Sequence, residues 1–286
     1  MAANIEVKKL GGPLGAEVRG FDPCGPLDAA SVKAINDAFL DHLVLRFRDM
    51  PMTTVQLRDF SARFGILRPH VAKNYRDAAV PEVVIMTNQD AQGNYDKVGA
   101  ERGVGWHVDG TYLQESPKAT MLHAVALPDS GGNTAFANMY MAYDTLPEAL
   151  KRRAEGKVAV HRLRGRKHHT QGIVGGDDLQ KMGTVVHPVI RPHPETGRKA
   201  LFINPHHTLN IVGLSQRDSD EFIDEVCAWG ARPEFQWEQQ WQVGDTILWE
   251  NRCAWHSGRD DYPKNQLRKF YRTSLFELGA NSAVVG

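Results

Sequence analysis

From about residue 83 onward the chain is a succession of short strand-like runs, with turn signals at Gly131-Gly132, His193-Pro194-Glu195-Thr196-Gly197 and Gly244-Asp245. The runs are Val83–Thr87, residues 118–127, residues 184–213 around the His193–Gly197 turn, Phe235–Trp241, Thr246–Trp249 and Phe270–Leu278. Many short strands punctuated in this way point to a β-sandwich or barrel decorated by a few helices. The expected fold class is therefore mainly β with flanking helices (α+β). No internal repeat and no Pro/Gly/Ser linker divides the sequence, so residues 1–286 are read as a single domain.

The helices are expected before and between these strands. Residues 4–20 predict two short strands around a Gly/Pro turn. Residues 28–42 predict a helix capped by Asp28, with Val32, Ile35, Ala38, Phe39 and His42 recurring at three- and four-residue intervals. Leu43–Phe47 predicts a strand, and residues 54–64 a second helix that stops at Gly65 in the left-handed conformation. Residues 146–155 and 216–230 predict two more helices. Two stretches are read as loops: residues 88–105, and residues 157–183 with the basic cluster His161, Arg162, Arg164, Arg166, Lys167, His168 and His169. Loops of that length are often functional, and either could close over a pocket as a lid.

Lys+Arg and Asp+Glu each number 34, so the formal net charge is zero. That balance argues against a protein that works by neutralising nucleic-acid phosphates, so no nucleic-acid partner is expected. No apolar run is long enough for a membrane-spanning helix, and no membrane partner is expected. Three widely spaced cysteines form neither a C-x-x-C pair nor a disulfide framework, which suits a reducing, cytoplasmic compartment.

The sharpest local feature is Gly105-Trp106-His107-Val108-Asp109-Gly110. In a strand, side chains two apart share a face, so His107 and Asp109 would project together. An imidazole and a carboxylate side by side can hold adjacent positions on a divalent metal. A third ligand must come from elsewhere, and His256, after a strong strand and before a turn, is the best candidate. Two histidines and one carboxylate on one face of the ion make the facial triad of non-haem Fe(II) oxygenases, with positions left open for O₂ and a co-substrate. An isolated H-x-D pair occurs readily by chance. It gains weight from Thr134 after the Gly131-Gly132 turn and from Arg268 and Arg272, which period two would place on one strand face behind Tyr262. Guanidinium groups entering a barrel are costly unless they meet anions, and their fork matches a carboxylate.

These motifs, taken in order, resemble the taurine dioxygenase/2,4-dichlorophenoxyacetate dioxygenase family of Fe(II)- and 2-oxoglutarate-dependent oxygenases. The likeness runs from Gly11–Asp22 through Phe64-Gly65, Trp106-His107-x-Asp109 and Pro128-x-x-Gly131-Gly132-x-Thr134. It continues through His187-Pro188, His193-Pro194-x-Thr196-Gly197-Arg198-Lys199, Leu201-Phe202-x-Asn204 and Asn251-Arg252-x-x-x-His256. It ends with Asp261-Tyr262 and Arg268-x-x-x-Arg272. The resemblance implies a double-stranded β-helix (jelly-roll) core and Fe(II) on His107, Asp109 and His256. It implies 2-oxoglutarate anchored by Thr134 and Arg268, and O₂ as the oxidant. It further implies Arg272 and His70 as substrate contacts, and a homo-oligomer, dimer or tetramer. His207 stands where taurine-oxidising members carry a pocket phenylalanine, and Lys73 adds positive charge near the expected pocket mouth. The expected reaction hydroxylates a small organic anion (a sulfonate, sulfate ester, carboxylate or phenoxyalkanoate) and releases succinate and CO₂. Asp109 argues against halogenation, since halogenating relatives lack that carboxylate. The competing reading is a non-oxidative jelly-roll metal protein, such as a cupin-like isomerase or a ligand-binding regulator, which would keep the metal residues but have no use for Arg268 and Thr134 together.

Overall fold

The computed structural model describes residues 4–71, 73–163, 165, 166 and 183–277. β1 (Glu6–Lys9) and β2 (Ala16–Arg19) form an antiparallel ribbon. α1 (Ala29–His42) starts at Asp28, whose carboxylate accepts the Ser31 N–H at 2.8 Å. That bond satisfies one of the unpaired donors of the first turn. β3 (Val44–Phe47) follows, then α2 (Thr54–Ser61), which opens on a reciprocal cap between Thr53 and Gln56. The left-handed stop expected at Gly65 is not what ends α2: the helix closes at Ala62 with right-handed geometry. Gly65 is small for a different reason. A Cβ there would sit 2.8 Å from the Phe276 carbonyl oxygen.

β4 (Ile66–Leu67) and β5 (Val84–Thr87) come next. The 88–105 stretch is not all loop, because it contains α3 (Lys97–Glu101), capped by the Asp96 carboxylate on the Val98 N–H. β6 (Ala119–Ala126) and β7 (Thr134–Asn138) precede α4 (Met139–Asp144), a helix without an expected counterpart, and α5 (Glu148–Ala154). The first part of the anticipated 157–183 loop is β8 (Val158–His161), in antiparallel register with β9 (Val185–Pro188). Most of that segment as a lid, at position 164 and over 167–182, lies outside the described residues. β10 (Ile190–Pro192), β11 (Lys199–Leu201) and β12 (Thr208–Ile211) lead to α6 (Gln216–Gly230). The chain closes with β13 (Gln236–Gln239), β14 (Thr246–Glu250), β15 (Ala254–Gly258) and β16 (Lys269–Phe276).

The largest sheet runs β1-β2-β3-β14-β6-β16-β4, with β5 also on β16. Two three-stranded sheets, β13-β7-β15 and β12-β8-β9, and the β10-β11 ribbon complete the β structure among the described residues. Period-two alternation sends the large sheet's side chains to two cores. Leu45, Phe47, Met121, Leu248 and Leu275 pack with Ile35, Phe39, Leu57 and Phe60 of α1 and α2. On the opposite face Val44, Leu122, Ile247, Trp249 and Phe270 join Phe136, Phe202, Phe222 and Trp255. Phe270 and Arg272 of β16 share this second face, as residues two apart must, and both line the cavity described next.

Candidate metal and co-substrate site

Residues 105–110 do not form the strand expected of them. Only His107 pairs, through an isolated antiparallel bridge to His256. The His107 N–H donates to the His256 carbonyl and the His256 N–H to the His107 carbonyl, both at 3.0 Å. His256 is held in β15, whose register on β7 sets it opposite Phe136. The bridge therefore brings together two imidazoles 149 positions apart, with ring centroids 4.1 Å apart. Asp109 reaches the same point from two residues on. His107 Nε2 lies 3.8 Å from Asp109 Oδ1, and His256 Nε2 lies 3.7 Å from Asp109 Oδ2.

One donor atom from each of these three buried residues lies within 4.8 Å of the others. The nitrogen–oxygen spacings exceed hydrogen-bond length and leave room for a common ion. The donor chemistry fits too. A carbonyl can only accept, so the 2.8 Å contact from His107 Nδ1 to the Gly105 oxygen puts the proton on Nδ1 and the lone pair on Nε2. Burial holds both imidazoles below their ordinary pKa, hence neutral and able to ligate. Burial alone would raise the Asp109 carboxyl, but the Arg272 guanidinium, helped by the Thr120 hydrogen bond, outweighs it and keeps the group ionised. Arg272 sits 2.9 Å from Asp109 Oδ2. Thr120 Oγ1 donates to the same oxygen at 2.7 Å, Asn251 Nδ2 donates to Thr120 Oγ1 at 2.9 Å, and Trp249 Nε1 donates to Asn251 Oδ1 at 2.9 Å. Behind the carboxylate stands a hydrogen-bonded chain of three residues, Thr120, Asn251 and Trp249, that fixes its orientation.

Thr134 and Arg268 line the same cavity as the triad. Arg268 donates through Nε and an Nη to the Gly132 carbonyl at 3.1 and 2.8 Å, and its backbone N–H is held by Asn88 Oδ1 at 2.8 Å. Burial lowers its pKa to about 10, so it stays charged at neutral pH. Thr134 Oγ1 accepts from Trp241 Nε1 at 3.1 Å, which leaves its own hydroxyl proton free to turn toward a ligand. Gly132 has φ +66°, and a Cβ there would meet Arg268 Nε at 2.9 Å. The Gly131-Gly132 turn is thus a seat for that guanidinium.

The anticipated substrate residues divide. Arg272, His70 and His207 line the cavity. Burial presses His70 down to about 3, so it is neutral. His207 is buried as a neutral ring, its Nδ1 3.1 Å from the Leu163 carbonyl and its backbone N–H held by Asn204 Oδ1 at 2.9 Å. Lys73 is not there: it is exposed on a short 3₁₀ turn, Lys73–Tyr75, outside the cavity. Several wall residues escaped sequence reasoning, namely Arg102, Tyr112, Leu163 and His206. Only His206 carried a signal, as the neighbour of His207.

Residues 6–274 match the family model described as taurine catabolism dioxygenase TauD, TfdA family. The chain belongs to the TauD/TfdA family. An alkylsulfatase of Acinetobacter baylyi is 33% identical, over 90% of this chain and 81% of the relative. An alpha-ketoglutarate-dependent 2,4-dichlorophenoxyacetate dioxygenase of a Burkholderia species is 32% identical over 86% of each. A crystal structure of a taurine dioxygenase from Burkholderia xenovorans superposes with a TM-score of 0.78 at 30% identity, covering 96% of this chain and 90% of that one. This TauD/TfdA member is accordingly an enzyme, a dioxygenase dependent on Fe(II), 2-oxoglutarate and O₂. Among its described residues no helix is long and apolar enough to cross a membrane.

Proposed function

We propose that His107, Asp109 and His256 hold Fe(II), that Thr134 and Arg268 hold the far carboxylate of 2-oxoglutarate, and that the enzyme hydroxylates a small organic anion. We also read the β sheets as a jelly-roll core of one domain, acting in the reducing cytoplasm, where Cys24, Cys227 and Cys253 form no disulfide among the described residues. The observation that carries the reading is the mutual approach of the three donor atoms within 4.8 Å, in one cavity with Arg268. Sulfate esters and phenoxyalkanoates are the substrate classes in the names of relatives spanning most of this chain. The arginines in the cavity wall fit an anionic substrate.

When bound, the iron supplies the activation of O₂ and the oxidation of a C–H bond, coupled to decarboxylation of 2-oxoglutarate. The chain supplies geometry and charge. Asp109 keeps its carboxylate ionised and aimed by Thr120. Arg268 stays positively charged at neutral pH in a largely apolar wall, where a bidentate carboxylate contact is strong. Val84, Met86, Leu122, Trp249 and Phe270 surround the reaction space with apolar surface and limit water. A non-oxidative metal protein would have no use for Arg268 and Thr134 in that wall.

The test is an anaerobic titration with Fe(II) and 2-oxoglutarate, followed by a screen of alkyl sulfates, sulfonates and phenoxyalkanoates for stimulated succinate release. A visible metal-to-ligand band is expected in the parent. In Arg268→Met the 2-oxoglutarate affinity should fall by about 1.5–3 kcal/mol, the worth of a hydrogen bond to a charged group. Absence of the band, or unchanged affinity in Arg268→Met, would overturn the assignment.

A further inference from the structure

Arg102 follows the last residue of α3, and nothing in the metal or 2-oxoglutarate site uses it. It is only 9% exposed, and its buried Nε has no hydrogen-bond partner among the described residues. One Nη reaches the Ile85 carbonyl at a long 3.4 Å, and the guanidinium lies over the Tyr75 ring at 3.8 Å from its centroid. No carboxylate of the described residues forms an ion pair with it. Asp96 acts on it through space, but that carboxylate is spent capping α3. A buried guanidinium with so little compensation is expensive unless a ligand completes it. Arg102 lines the cavity that holds the triad, and Arg272 and His70 are its electrostatic neighbours there.

Charge counting sharpens the point. Among the described residues, the charged ones lining the cavity are Arg102, Arg268, Arg272 and Asp109, three guanidiniums against one carboxylate. A ferrous ion and a 2-oxoglutarate dianion cancel each other. Two positive charges are left, with His70 and His207 neutral. We infer that Arg102 is a substrate-binding residue acting with Arg272, and that the pair selects an organic dianion: a dicarboxylate, or a doubly ionised phosphomonoester or phosphonate. Arg272 spends one nitrogen on Asp109 and keeps its other N–H groups for the ligand. Tyr75 holds the Arg102 plane in place by stacking. Two fixed forks facing one ligand discriminate by charge, because a singly charged ligand leaves one guanidinium buried and unpaired.

This inference rests on the proposed iron and 2-oxoglutarate site, and the test separates the two. The anaerobic Fe(II)·2-oxoglutarate complex is formed first, its visible band showing that the site is intact. Hexyl phosphate and hexyl sulfate, then adipate and hexanoate, are titrated by calorimetry at about pH 8, where a phosphomonoester carries nearly two charges. The dianion of at least one pair should bind about tenfold tighter than its monoanion, roughly one lost ionic hydrogen bond. Arg102→Met should erase that preference while keeping the band and the 2-oxoglutarate affinity, and Arg102→Lys should restore part of it. Without ligand, Arg102→Met should melt no lower than the parent, since replacing a buried unpaired charge by an apolar side chain removes a cost. Equal or tighter binding of the monoanions, no binding in either pair, or a preference that survives Arg102→Met would each overturn the inference and leave the iron site standing. A lower melting temperature for Arg102→Met would make Arg102 structural and overturn it as well. Loss of the band in the parent would instead fault the site reading itself.

Discussion

The Thr120→Val variant tests whether the chain behind Asp109 matters to the metal. Valine keeps the β-branched shape at a fully buried position of β6, so the chief change is loss of the hydroxyl. The 2.7 Å hydrogen bond to Asp109 Oδ2 is lost, and Asn251 Nδ2 loses its 2.9 Å acceptor. A hydrogen bond to a charged group is worth about 1.5–3 kcal/mol, and an orphaned buried donor costs about 1–3 kcal/mol. The metal-free fold should therefore lose about 2.5–6 kcal/mol, the two ranges taken together. Loss of such an outer partner typically weakens a metal site by about 10–100-fold. Both effects are readable separately: denaturant unfolding of the metal-free protein gives the first, and anaerobic Fe(II) or Mn(II) titration gives the second. Thr120→Ser keeps the hydroxyl and should retain metal affinity. The reasoning is refuted if Thr120→Val binds metal as tightly as the parent, or if the serine variant loses as much affinity as the valine.

Three further outcomes are expected. Arg252→Met should destabilise the fold by about 3–5 kcal/mol in denaturant titration, because Arg252 pairs with fully buried Glu250 and with Glu195 and Glu277, and removing it strands the buried carboxylate; a loss within experimental scatter would show that His193 alone suffices for Glu250. Gly132→Ala must displace the Arg268 guanidinium and adopt an unfavourable positive φ, so 2-oxoglutarate affinity should drop while Fe(II) affinity holds, and equal losses of both would contradict the seat proposed for Arg268. Acid should weaken the fold before the carboxylates titrate. Burial depresses His123 to about 4 and His161 to about 3, against 6.5 when unfolded. The unfolded chain then binds more protons in that window, so the stability these rings contribute is complete above about 6.5 and is lost as pH falls, at about 1.4 kcal/mol per pH unit for each. His123→Gln should flatten part of that slope in unfolding curves taken at successive pH values; an unaltered slope would remove His123 from the account.

Local elements were largely legible because their causes are local. Asp28 caps α1 and a run at helical spacing fills it, as the sequence predicts. Arg268 and Arg272 do line one cavity as their spacing suggested, although Arg268 stands just before β16 and not within it. Where the physics is not local, reading failed in identifiable ways. Gly65 looked like a helix stop because glycine often is one, but its small size serves a contact with Phe276, more than two hundred positions away. Residues 105–110 looked like a strand because H-x-D fits period two, whereas one bridge to His256 does the aligning. Lys73 has the right charge for the pocket and the wrong place, since charge type says nothing about which way a loop turns.

By itself the sequence determined the chemistry available: two imidazoles and a carboxylate of metal-binding type, a pair of arginines four positions apart, and a β-rich frame to carry them. The tertiary structure alone decided which of these groups meet, because pairing between distant strands depends on register and packing that no short window contains. The same holds for Arg102. Nothing near it in the chain marks it out, and only the cavity it enters, with too many guanidiniums for its carboxylates, gives its charge a purpose.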